Sequence, residues 1–220
     1  MRILNLYSCL GGNRYKWSDD HQIVAVEKDQ ELARMYKDRF PKDIVIVADA
    51  HQYLLEHYKE FDFIWSSPPC PSHSRARHSF KNRDAFIPLY PDMKLYEEII
   101  FLKSYYNGKY CVENVIPYYE PLIHGYKRGR HIYWTNFPIP QELNHRVEGT
   151  GIISNTTDEV NKLCKFHDID RQFLDSYKGN QRKQKIIRNL VDYAVGKTIL
   201  DIAMDVKPIT KQINIFDEQY

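Results

Sequence analysis

Cysteine is scarce in this sequence, and its few copies stand far apart. Cys9, Cys70, Cys111 and Cys164 form no CxxC pair, which argues against a zinc knuckle or a disulfide framework and fits a reducing compartment. No metal site is expected. Long apolar runs are missing as well: no segment approaches the roughly 20 apolar residues of a membrane span, and Met1 to Gly12 lacks the apolar core of a signal peptide. A soluble, cytoplasmic protein without membrane contact is the expectation. Nor is there an excess of charge, since 31 Lys and Arg stand against 29 Asp and Glu, with nine His. Net charge therefore does not announce a nucleic-acid binder, and that argument rests on local clusters. Internal repeats and low-complexity tracts are absent. What remains is 220 residues, enough for one large domain with an ample core, or one domain with a small appendage.

One stretch organises the rest. Phe61 to Trp65 is apolar and nearly uncharged, as expected of a strand covered on both faces in a parallel sheet. Pro68 and Pro69 end it, because proline lacks the N–H that a ladder needs. Cys70 then stands on a stiff, polar loop beyond the carboxyl end of a strand, where open α/β sheets place their ligands. It is either a reactive thiol or a buried inert one.

Before it, Arg2 to Tyr7 reads as a strand, Ser8 to Gly12 as a glycine turn, and Asn13 to Trp17 as the start of a helix. Such a turn lets a ligand approach the backbone, although paired glycines also make ordinary turns. Gln22 to Val26 reads as a second strand ending at Glu27, followed by a helix over Gln30 to Phe40. An acid there holds ribose hydroxyls in nucleotide-type folds, or is simply solvated. Ile44 to Ala48 is a third strand, after which Asp49 either accepts from an adenine amino group or caps the helix running through His57. Ser72 to Pro91 is a long loop carrying Arg75, Arg77, His78, Lys81 and Arg83, read as a mobile lid touching phosphates or as a solvated face. A helix over Asp92 to Tyr106 and a strand over Lys109 to Val112 follow, the strand ending at Glu113-Asn114-Val115. Tyr118 to Tyr126 suggests a short helix and turn, and His131 to Phe137 a strand added at the sheet edge. Residues 138–180 read as a small insert with a helix near Asp158 to Phe166, and Gln181 to Met204 as a long helix region, basic and then apolar.

In this order the motifs resemble those of the DNA (cytosine-5) methyltransferase family, from Ile3 to about Leu200. Asn5-Leu6-Tyr7-Ser8-Cys9-Leu10-Gly11-Gly12 is similar to the family's D-L-F-x-G-x-G-G, Ala25-Val26-Glu27 to its ribose-binding acid, and Val47-Ala48-Asp49 to its adenine-contacting acid. Ser67-Pro68-Pro69-Cys70 matches the nucleophile loop, Glu113-Asn114-Val115 the E-N-V, Arg128-Gly129-Arg130 the R-x-R, and Arg188-Asn189-Leu190-Val191 a degenerate G-N-x-V. The sequence departs from the pattern at Asn5 for aspartate, Cys9 and Arg188 for glycine, and Pro71 for a polar amide.

The resemblance implies a Rossmann-like α/β fold, mostly parallel with helices on both faces, and S-adenosylmethionine as cofactor. It implies that Tyr7, Gly11, Gly12, Glu27, Lys28, Asp49, Ala50, Pro69, Asn189 and Val191 bind that cofactor. Cys70 would add to carbon 6 of cytosine, Glu113 would protonate N3, and Arg130 with Arg128 behind it would hold the carbonyl oxygen. The substrate would be a cytosine flipped out of DNA. The layout expected is a catalytic domain over 1–137, the insert 138–180 in place of a target-recognition domain, a helix over 181–207 completing the catalytic domain, and a tail from 208. So short an insert implies loose sequence specificity and an origin in a phage or other mobile element. Alternatives are the same chemistry on RNA or a cytosine nucleotide, or a catalytically silent module binding nucleic acid or a sliding clamp. The clamp enters because Lys211 to Phe216 resembles the glutamine-led docking motif, Gln212 to Phe216 being the segment that would dock and raise effective concentration on DNA.

Overall fold

A computed structural model describes residues 1–83, 86–143 and 157–206. The proposed clamp-docking segment Gln212 to Phe216 lies outside them. Seven strands form one sheet in the order β3-β2-β1-β4-β5-β7-β6. They are β1 (Arg2–Leu6), β2 (Gln22–Glu27), β3 (Ile44–Val47), β4 (Phe63–Ser66), β5 (Lys109–Val115), β6 (Tyr126–Arg128) and β7 (His131–Thr135). The first five are parallel, and β7 runs antiparallel to both β5 and β6. Between β1 and β4 the strand order reverses direction, which makes the crevice where open α/β sheets bind ligands. The expected Rossmann-like α/β fold is the observed one.

Helices α1 (Gln30–Arg39), α2 (Ala50–His57), a short α3 (Arg75–His78) and α4 (Lys94–Tyr105) come before β5; α5 (Thr157–Phe166), α6 (Arg171–Asp175), α7 (Lys183–Arg188) and α8 (Tyr193–Ala203) come after β7. Strand alternation sorts the core. Leu4, Leu6, Val24, Val26 and Ile64 pack with Leu54 of α2 and Leu95, Ile99 and Leu102 of α4 on one face. Ile3, Ile23, Phe63 and Trp65 pack with Val195, Ile199 and Leu200 of α8 on the other. A further cluster joins Leu10, Leu32 and Met35 to Val160, Cys164, Leu174, Ile186 and Ile187, so α5, α6 and α7 pack around the glycine turn and α1. Among the described residues no helix is long and apolar enough to cross a membrane.

Several expected boundaries move. The helix expected from Asn13 is only a 3₁₀ turn, Asn13–Lys16, because Asn13 is held by a side-chain amide pair with Asn5 (2.8 Å) and Trp17 is pulled towards Gly196 (Nε1 to the carbonyl, 3.0 Å). Strand β5 continues through Glu113 and Asn114, since β7 offers a ladder across to Val115. Tyr118 to Tyr126 forms no helix: Tyr118 donates to the His73 carbonyl (3.1 Å) and Ser74 bridges Pro117, so this segment is tied to the loop after Cys70 instead. The aromatic strand β7 is not the edge; β6 covers it, through a two-residue loop whose first residue, Gly129, has φ 56°, as hairpin turns of this size require. The long helix region from Gln181 breaks into α7 and α8. Asn189 closes α7 and the Asp192 carboxylate accepts from the Ala194 N–H (3.0 Å), opening α8.

Candidate active site

The loop that carries Cys70 is held from both ends. Trp65 donates through Nε1 to the Ser67 hydroxyl (2.8 Å), and the Asn114 side-chain amide donates to the Pro68 carbonyl (2.9 Å). Beyond the double proline, the Cys70 carbonyl accepts from the N–H groups of His73 (3.0 Å) and Ser74 (3.1 Å). Pro69 and Pro71 are exposed, and Cys70 is half-buried. Burial pushes the Cys70 thiol above its ordinary pKa, the Glu113 carboxylate pushes further the same way, and Lys185 of α7 acts in the opposite direction.

Glu113 lies on β5, the strand next to β4, and is 7% exposed. The pleat explains why E-N-V reads as it does: Glu113 shares the face of Tyr133 opposite it, while its neighbour Asn114 turns the other way to hold Pro68. His131 Nε2 lies 3.5 Å from Glu113 Oε1. Arg130 is exposed in the β6–β7 turn, its carbonyl accepting from Ile116 (3.0 Å). Arg128 corrects the sequence expectation. Its guanidinium is buried and donates to the carbonyls of Pro140, Lys127 (2.9 Å) and Ile139 (3.2 Å), so it braces the hairpin against the following chain rather than backing Arg130 at a base.

The cofactor-side residues gather at the carboxyl ends of β1, β2 and β3. Tyr7, Cys9 and Gly11 all have positive φ, at 56°, 47° and 70°. Cys9 thus occupies a conformation that favours glycine, the residue that the family motif carries there. At Gly11 an added Cβ would lie 2.4 Å from the Phe40 ring, and at Gly12 it would lie 2.5 Å from the Val191 carbonyl oxygen. The Gly12 contact brings the C-terminal motif, with Asn189 exposed just before it, onto the turn. Glu27 accepts from the Cys9 N–H on one oxygen (2.9 Å) and from the Asp29 N–H on the other (2.9 Å). Burial raises its pKa, and those N–H groups pull it back. Each carboxylate oxygen retains a lone pair for a ligand hydroxyl. Asp49 caps α2 with Oδ1, accepting from His51 (3.1 Å) and Gln52 (3.2 Å), and leaves Oδ2 3.4 Å from Lys28 Nζ; buried Ala50 opens the helix. A glycine cradle beside an acid with free lone pairs fits a nucleoside cofactor.

Residues 1–95 match the family model described as C-5 cytosine-specific DNA methylase. The match spans 95 of the chain's 220 residues, and its family is the one that the sequence motifs resemble. The match implies S-adenosylmethionine as the cofactor. Among solved structures, the Entamoeba histolytica methyltransferase EhMeth is similar at 13% identity and TM-score 0.53, covering 94% of this chain and 99% of its own. A mutant of Spodoptera frugiperda DNMT2 is similar at 15% identity and TM-score 0.49, covering 92% of this chain and 99% of its own. The first likeness shows the shared fold. No curated protein matches the sequence significantly.

Three side chains near these residues escaped the sequence reading. His131 was hidden by the arginine beside it, and Lys185 lay within the basic start of the helix region from Gln181. Glu98 had one signal: a charge on the face of α4 that also carries Leu95, Ile99 and Leu102.

Proposed function

We propose that this chain methylates carbon 5 of cytosine in DNA through a covalent adduct of Cys70 at carbon 6. The observation that carries the reading is that the loop after β4 brings Cys70 close enough to Glu113 of the neighbouring strand β5 for the carboxylate to perturb the thiol. Cytosine carbon 5 is a poor nucleophile. The Cys70 thiolate adds to carbon 6 while Glu113, as the acid, gives a proton to N3, and the ring becomes an enamine. S-adenosylmethionine supplies the methyl group that carbon 5 then takes. A base or water removes the carbon 5 proton, the N3 proton returns to Glu113, and the thiolate leaves. Arg130, in the β6–β7 turn beside the carboxyl end of β5, holds the base's carbonyl oxygen.

Catalytic residues come from 1–137 and 181–207, with 138–180 as a small insert, so specificity is short or loose. Arg75, Lys81 and Arg83 are exposed on the segment after Cys70 and contact phosphates, giving an affinity that falls with salt.

Labelled methyl transfer to duplex DNA, single-stranded DNA, RNA and cytosine nucleotides tests the reading. Transfer to duplex DNA, recovered as 5-methylcytosine, is expected. Transfer to RNA or nucleotide alone keeps the chemistry and rejects the substrate; none with any acceptor rejects enzymatic function in favour of a binding module.

Glu113→Gln is expected to lower kcat by about 10²–10⁴-fold, the scale for loss of a general acid. It also removes a negative charge that raises the Cys70 pKa, so the pH midpoint of Cys70 alkylation moves down. An unchanged midpoint would show that the two groups are not coupled.

A further inference from the structure

Helix α4 buries Leu95, Ile99 and Leu102 against the sheet, and on the same face it buries an acid, Glu98, which is 1% exposed. An unpaired carboxylate there would be strongly unfavourable. Three donors satisfy it. Tyr7 donates its hydroxyl to Oε1 (2.6 Å), His51 Nδ1 lies 3.0 Å from the same oxygen, and Ser66 donates its hydroxyl to Oε2 (2.6 Å). The outer nitrogen of His51 faces the exposed Glu97 at 3.3 Å.

The origin of those donors matters more than their number. Tyr7 follows β1 directly, Ser66 ends β4, and His51 sits in the first turn of α2 beside Asp49 and Ala50. These ends surround the crevice between β1 and β4 where the strand order reverses. Tyr7 also holds φ 56°, a conformation that an unbranched loop would leave readily without an anchor. A carboxylate accepts hydrogen bonds and donates none, so Glu98 draws three separate chain ends towards one point.

We propose that Glu98 is a positioning residue for S-adenosylmethionine, fixing Tyr7 and the start of α2 as a preformed wall of the cofactor site. The inference rests on the cofactor belonging to this sheet edge, and requires neither DNA as substrate nor Cys70 as nucleophile. Titration calorimetry with S-adenosylmethionine on the full chain, with thermal melts alongside, tests it for wild type, Glu98→Gln, Tyr7→Phe and the double variant. Each single change is expected to weaken binding about tenfold, the scale of one lost hydrogen bond to a charged group. The double variant should lose little more than the weaker-binding single, since the bond that Tyr7→Phe removes is among those that Glu98→Gln disturbs. A role confined to folding would lower melting temperatures while leaving affinity unchanged, and that result overturns the proposal, as do additive losses or a wild type that binds no S-adenosylmethionine. If Glu98→Gln does not fold, Tyr7→Phe and Ser66→Ala carry the same comparison. A wild type that binds the cofactor yet methylates no nucleic acid would reject the proposed function and leave this inference standing.

Discussion

Cys70→Ala is expected to abolish methyl transfer and covalent trapping on 5-fluorocytosine DNA, while the protein still binds S-adenosylmethionine. The loss should be on the order of 10⁶-fold, the scale seen when a covalent nucleophile is removed. No other thiol can substitute. Cys111 is 0% exposed and Cys164 3% exposed. Cys9 is enclosed in the glycine turn with its thiol pushed far above the ordinary value, first by burial and then by Glu27. Gel-resolved adducts and labelled transfer give the readout, and retained transfer by the variant would refute the covalent mechanism. The same raised Cys70 pKa has a consequence for pH. The thiol form dominates at neutral pH, so adduct formation should accelerate as pH rises towards the thiol's pKa.

Asp43→Ala should cost about 3–5 kcal/mol of stability, the range for stripping one partner from a buried ion pair. Arg14 and Asp43 have side chains only 3% and 2% exposed. The guanidinium grips both carboxylate oxygens, at 2.9 Å and 3.0 Å, and donates to the Trp17 carbonyl at 2.9 Å. Tyr36 adds a hydroxyl to the same carboxylate at 2.8 Å. Alanine at 43 would leave the Arg14 charge and the Tyr36 hydroxyl buried without that acceptor. Because Arg14 stands two residues after Gly12, in the 3₁₀ turn that Gly12 opens, cofactor affinity should fall together with stability. Urea unfolding measures the first effect, and a change below about 1 kcal/mol, the value of an exposed pair, would show that the pair is hydrated.

The parallel strands were legible because residues such as Ile3, Leu4, Ile64 and Trp65 are apolar on both faces, a pattern that local sequence carries by itself. Cys70 was legible for a related reason, since Pro68 and Pro69 mark where its strand must stop. The break between α7 and α8 was not. Apolar periodicity runs on through Leu190 and Val191, and the interruption is imposed by packing of Val191 on Gly12, a contact between sequence ends. Arg128 shows the limit of motif reading: the spacing of R-x-R is intact, but the hairpin turn at Gly129 leaves the first arginine bound to main-chain carbonyls. Glu98 depends on donors from three separate elements, which no local window contains.

The Gly12–Val191 contact, seconded by Trp17 donating to the Gly196 carbonyl across 179 residues of sequence, also sets an order of assembly. The glycine turn after β1 is finished by α7 and α8. During synthesis the leading strands can pair early, but the glycine turn closes only after α7 and α8 have emerged, and long-range closure of this kind is slow. The glycine turn therefore takes its final shape late in folding, once α7 and α8 are available to pack on it.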